Sequence, residues 1–237
     1  MTFRKLCTAL ALGLGLGLGL GASVANAADI EVEVTNMTHG IYFTPLLVTS
    51  HDGDSHLFQV GMAASTALQA MAEGGAIDDL VAAQDAAGAV SASDPAGGLL
   101  GPTESASAMM DMGDNTHLSI VAMLLPTNDG FVGMDAWEIP TTAGICTVML
   151  NAYDAGTEAN DEIVNGSGAP DTPGIPASPG GNGETGATGV TATEATTVVH
   201  IHRGNHGDTD PAGGVSDVDS RVHRWLNPVA RVVITVN

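Results

Sequence analysis

Two clusters of side chains in this 237-residue chain have the types and spacing for metal chemistry. The first is the acidic stretch NAYDAGTEANDE, Asn151 to Glu162, with carboxylates at Asp154, Glu158, Asp161 and Glu162. A hard cation such as calcium takes about six to eight oxygens from carboxylates, backbone carbonyls and water in a flexible loop. Asp154 and Glu158 flank Gly156, which permits a sharp turn, and with nearby carbonyls they supply about half of such a set. A second loop, PTNDGFVGMD, offers Asn128 and Asp129 at another strand junction. Loops at one end of a sandwich converge, so Asp129 could share an ion with Asp154 and Glu158. Asp161 and Glu162 are expected to be ordinary surface acids. The alternative is a solvated loop in a uniformly acidic chain.

The second cluster is VVHIHRGNHGD, where His200 and His202 are two apart on an expected strand and so share a face. With His206 they could bind zinc or copper at neutral pH. The competing reading is a polar strand face whose imidazoles hydrogen-bond nearby acids. DTDPAGGVSDVDS, Asp208 to Ser220, has aspartates but lacks the glycine position and terminal glutamate of an EF-hand loop, so a solvated linker is expected there. No G-x-S-x-G or H-E-x-x-H motif occurs, and the cysteine inside the core pattern lacks a histidine partner signature. The chain reads as non-enzymatic.

The elements that must position these residues are mostly strands. Asp29 to Asn36 alternates apolar Ile30, Val32 and Val34 with polar neighbours, the period of a half-buried strand. Further strands are expected at 42–49, 57–60, 105–110, 118–125, 131–139, 145–153, 197–202 and 229–236. Leu118 to Leu125 is apolar on both faces, as a central strand would be. Between the early strands, Ala64, Leu68 and Met71, then Ile77, Leu80 and Val81, recur at helical spacing. Ser65 and Asp78-Asp79 stand where acceptors and negative charge favour a helix start. Gly166 to Gly189 is rich in glycine and proline and cannot build a core, so a flexible insertion is expected. The G-N-G-E-T-G match within it has neither a preceding strand nor a following helix.

Composition narrows the partners. Residues 1–27 have a positive start at Arg4 and Lys5, an apolar stretch, and Ala25-Asn26-Ala27, the pattern of a cleaved signal peptide. The domain is then 28–237, exported to the periplasm or secreted, with no membrane insertion after cleavage. That domain keeps four arginines and no lysine against 27 acidic residues, which argues against nucleic acid or an anionic membrane as partner. A high-salt environment is the simplest account of the charge. Cys146 is the domain's sole cysteine, so a buried thiol without an internal disulfide is expected.

The segments LLPTNDGFVGMD (Leu124 to Asp135), LNAYDAGTEANDE (Leu150 to Glu162) and LNPVARVVITV (Leu226 to Val236) resemble the spondin domain of F-spondin and mindin. VEVTNMTHGIYFTPLLVTSHDGDSHLFQVGMAAS, Val32 to Ser65, is similar to the opening of its bacterial single-domain forms. The resemblance implies an all-β, C2-like antiparallel β-sandwich of about eight strands, with one or two short helices in a connection. It also implies calcium (Ca2+) in the end loops, with Asp129, Asp154 and Glu158 as ligands. The thrombospondin repeats and disulfide-forming cysteines of the animal proteins are absent, so their matrix and receptor roles do not transfer. What remains is an exported calcium-binding module for surface binding or adhesion, with an unidentified protein or polysaccharide ligand. The other reading is a periplasmic zinc or copper binder built on His200, His202 and His206.

Overall fold

Alternation along β2 (Asp29–Asn36) decides the first layer of the computed structural model, which describes residues 6–9, 29–181, 183, 185–190, 196–210 and 213–237. Ile30, Val32 and Val34 are buried while Glu31 and the other odd positions turn outward. β2 is flanked by β6 (Ser105–Asp111) and by β11 (Ala230–Val236), and β11 pairs on its other side with β9 (Gly144–Asp154). Val34, Val232 and Val148 stand abreast across the three strands, each buried on the same face.

β9 belongs to both layers. Its last residues, Asn151 to Asp154, pair with Gly130 to Gly133 of β8 (Gly130–Glu138). From there the sheet runs through β7 (His117–Leu125) and β4 (Leu47–His51) to β5 (Val90–Ser93). The path ends at β5 and β6, which approach each other, so the sheet nearly closes on itself. Three short strands lie off it: β3 (Tyr42–Phe43) on β7, and β1 (Leu6–Ala9) and β10 (His200–Ile201) on β9. Every strand pairing is antiparallel, giving the all-β, sandwich-like fold anticipated above. The main path has eight strands.

Two apolar clusters explain why β7 lacks alternation. Ile120, Ala122 and Leu124 face the interior between the layers, with Val132, Val232 and Trp137. Val121, Met123 and Leu125 face outward beneath two helices, α1 (Thr66–Gly74) and α2 (Asp78–Ala86), and pack with Leu68, Met71, Leu80 and Phe131. A strand covered on both faces carries apolar residues at every position. α1 starts where expected: the Ser65 hydroxyl accepts a hydrogen bond from Leu68 N at 3.1 Å. Asp78 and Asp79 occupy the first turn of α2. Ser65→Ala should therefore cost about 1 kcal/mol, read as a small fall in the urea midpoint.

Residues 57–60 are not a strand, contrary to expectation. The Asp135 carboxylate takes their backbone donors instead, accepting from Leu57 N at 2.7 Å and Phe58 N at 3.3 Å, and His56 Nδ1 lies 2.6 Å from its other oxygen. The Phe58 ring then packs edge-on against Phe131, with centroids 5.0 Å apart. The strand expected at 197–202 contracts to β10. Most of the expected signal segment, 1–27, lies outside the described residues; of it, β1 pairs with β9 and sets Cys7 opposite Cys146. Cys146 is buried, as expected, and is disulfide-bonded in the full chain, whereas the expectation of a thiol concerned residues 28–237 alone. Among the described residues no helix is long and apolar enough to cross a membrane.

Candidate metal centre

The end of the sheet where β8 begins and β9 finishes brings the two acidic loops together. Gly130 and Asp154 are partners across that pair, so Asp129 and Ala155 are the first residues beyond the ladder, joined by Ala155 N donating to Asp129 O at 3.2 Å. The connection from β7 is tied down by Thr127, whose hydroxyl donates to Leu124 O at 2.6 Å and accepts from Gly130 N at 3.0 Å. On the other strand, Gly156 takes a φ of 71°, and a Cβ there would meet the backbone of Val198 at 2.7 Å. Only glycine fits both the left-handed conformation and the close approach.

Asp129 is fully buried. One of its oxygens, Oδ2, accepts from Thr157 N at 2.8 Å, from Glu158 N at 3.1 Å and from the Thr157 hydroxyl at 3.2 Å. The other, Oδ1, is buried with no donor. Burial, followed by repulsion from Asp154, pushes the Asp129 carboxyl up to about 7. Glu158 behaves alike. Its Oε2 accepts from Gly174 N at 3.1 Å and Asn128 Nδ2 at 3.3 Å, while Oε1 is buried without a partner. Burial pushes Glu158 to about 7, and Glu73 and Asp129 add smaller repulsions. Asp154 accepts from Gly156 N and from Asn160 Nδ2, both at 2.8 Å. The structure therefore brings Asp129, Asp154 and Glu158 into one electrostatic neighbourhood.

A cation is the chemistry these groups fit. Buried carboxylate oxygens without donors are costly unless something positive meets them, and Asp129 Oδ1 and Glu158 Oε1 are two such atoms. The acids are neighbours and not a closed cage: among the described residues no three His, Cys, Asp or Glu side chains already converge as metal ligands. A hard ion that fills its shell with carbonyls and water tolerates that arrangement better than one needing tetrahedral side-chain ligands.

The histidines are placed differently. His200 Nδ1 lies 2.9 Å from Val198 O and 3.8 Å from Asp154 Oδ1. His202 is buried, its Nδ1 accepting from Gly204 N at 3.0 Å, and burial lowers its pKa to about 4. His206 is exposed. His202 lies just beyond β10, so the strand expected to align it with His200 ends before it, and His200 lies beside Asp154.

Several residues that shape the site were not singled out by spacing. Glu162 is buried, not a surface acid: it accepts from His206 N at 2.5 Å, Gly207 N at 2.8 Å and the Ser216 hydroxyl at 2.5 Å. Asp161 is half-buried and accepts from Asn128 Nδ2 at 2.9 Å. Asn128 thus links three acids, since its Oδ1 also receives Glu162 N at 3.1 Å. Glu73 of α1, fully buried, receives Gln69 Nε2 at 2.9 Å and Asp171 N at 2.9 Å. The Gly/Pro-rich stretch supplies Gly174 to Glu158, and Ile175 within it is buried. Apart from Gln69, four positions from Glu73, the donors come from residues 16 to 98 positions away, where proximity in sequence carries no signal.

A family model described as Spondin_N matches residues 35–171, a span that contains Asp129, Asp154 and Glu158 and ends before the histidines. A search of curated proteins finds no match.

Proposed function

This chain belongs to the spondin N-terminal domain family, an extracellular-type module, and from that premise we propose that it is an exported, non-enzymatic calcium-binding module for surface binding or adhesion. The observation that carries the metal reading is the pair of buried, donorless oxygens, Asp129 Oδ1 and Glu158 Oε1, with Asp154 close enough to repel the Asp129 carboxylate. Asp129, Asp154 and Glu158 would hold the ion, with backbone carbonyls and water completing its shell. Bound calcium neutralises the acids and fixes the two loops, which leaves a rigid end of the sandwich to meet a partner. The signal-like residues 1–27 support export.

The test is thermal unfolding with calcium and with a chelator. Extracellular modules hold calcium with constants of roughly 0.1–1 mM. At ten times that constant calcium should add about 1.4 kcal/mol to the stability. Asp154→Asn should remove most of the calcium response. Identical melting curves with and without calcium would sink the proposal.

A further inference from the structure

One edge of β9 changes neighbours along its length. β8 runs beside it from Asn151 to Asp154 and then stays with β7 in the other layer. β11 occupies the opposite edge from Gly144 to Leu150. Among the described residues, the strand that lies along the first edge at Gly144 to Thr147 is β1, which belongs to the segment expected to be cleaved. An open strand edge offers unpaired N–H and C=O groups to any extended chain, and natural edges are blunted with lysine, proline or other charged residues. Gly144 to Leu150 has none of these, in a chain with 27 acidic residues. Ile145 and Met149 on the same stretch are exposed.

β1 shows what fits there. It pairs antiparallel, with Leu6 opposite Thr147, Cys7 opposite Cys146, Thr8 opposite Ile145 and Ala9 opposite Gly144. β9 carries the same order of residue types, Ile145-Cys146-Thr147-Val148 against Leu6-Cys7-Thr8-Ala9. A second copy of β9 laid antiparallel on this edge therefore repeats each pairing: isoleucine for leucine opposite Thr147, threonine opposite Ile145, valine for alanine opposite Gly144. The two copies of Cys146 then stand opposite each other on a two-fold axis, the isologous arrangement of most homodimers. Opposed residues of antiparallel strands have Cα atoms about 4.5–5.5 Å apart, within the roughly 4.4–6.8 Å that a disulfide spans. Cys146 is disulfide-bonded in the full chain, and residues 28–237 contain no other cysteine. A cysteine left over in an exported domain points to pairing between chains.

We propose that the chain, once residues 1–27 are removed, forms a homodimer in which the β9 edges of two copies pair and Cys146 is bonded to Cys146 of the partner subunit. The inference rests on the export reading and does not depend on calcium. Each Cys146 thiol gives up one proton and one electron. A disulfide of the oxidising compartment, glutathione or an oxidoreductase, takes up the two electrons and two protons and leaves as two thiols. Pairing over Gly144 to Val148 alone falls short of the area of a stable interface, so the bond between the sulfurs holds the two acidic chains together.

The test starts from the full chain expressed in an exporting bacterium, with thiols alkylated at harvest. Intact mass should show cleaved chains linked in pairs, and peptide mapping should place the link between the two copies of Cys146. Reduction should release monomers, in which the amides of residues 144–148 exchange with deuterium at least about tenfold faster than in the linked dimer. Cys146→Ala should give monomers whose 144–148 amides exchange like those of the reduced parent. The proposal is overturned if the cleaved protein is a monomer with an alkylated Cys146, or if linked chains leave residues 144–148 unprotected, the mark of adventitious thiol oxidation. Retention of residues 1–27 on the exported protein would overturn it together with the cleavage on which it rests. Linked, protected dimers in a protein whose melting ignores calcium would uphold it and overturn the calcium reading.

Discussion

Asp129→Asn is expected to raise the unfolding midpoint of the calcium-free protein at pH 8 and to lower that of the calcium-loaded protein. The carboxyl is fully buried and held near 7, against its ordinary 3.8. Folded, calcium-free protein therefore binds more protons than the unfolded chain between those values, and its stability declines as pH rises through that window. At pH 8 the ionised group costs the fold on the order of a few kcal/mol. Asparagine keeps an oxygen for Thr157 N and Glu158 N and removes the buried charge that Asp154 repels. Relief of that cost should raise the midpoint by roughly 5 °C or more for a domain of this size. With calcium present the sign should reverse, because the proposed site would lose an anionic ligand.

Glu158, also held near 7, adds to the same slope. His202 opposes it: the unfolded ring takes its proton near 6.5 but the folded ring only near 4, so its contribution rises with pH across that interval. At pH 8 the ring is neutral in both states, which makes that pH the clean one for the comparison. On the proposed reading calcium would also displace protons from Asp129 and Glu158, so its stabilisation should shrink as pH falls from 8 to 5. Paired melting curves at the two pH values check the sign. A single sign for Asp129→Asn under both conditions would separate Asp129 from the ion.

Glu162→Ala should destabilise the protein by about 3 kcal/mol or more, whatever the calcium concentration. The carboxylate is buried and is the shared acceptor for His206 N, Gly207 N and the Ser216 hydroxyl. Truncation leaves those donors in a site from which water is largely excluded, at about 1–3 kcal/mol each, less whatever water recovers. Glu162→Gln retains an acceptor oxygen and should lose less. Urea unfolding in chelator reads both. Equal stability of the alanine variant and the parent would mean that the 205–216 segment is held by other contacts.

How legible all this was depended on the range over which each residue acts. Asp154, Gly156 and Glu158 form a local unit, so spacing singled them out as candidates, and Asp129 joined them from its place at a strand junction. The strands β2, β7 and β11 were legible because burial writes its period directly into apolar residues. Residues 57–60 look apolar enough for a strand, yet their donors go to Asp135, some 78 positions away, which no local pattern reports. Glu162 was misread for the same reason: its donors arrive from a segment more than 40 positions downstream. Resemblance to a family supplied the long-range pairing of loops that periodicity lacks.

The position of β11 between β9 and β2 has a kinetic consequence. Arg231 and Thr35, which touch across the β11–β2 pair, are 196 residues apart in the chain. The central pairing of one layer therefore closes a loop that includes nearly every other element, and such high contact order slows folding. Until β11 emerges, β2 and β9 each lack a neighbour and the sheet cannot close.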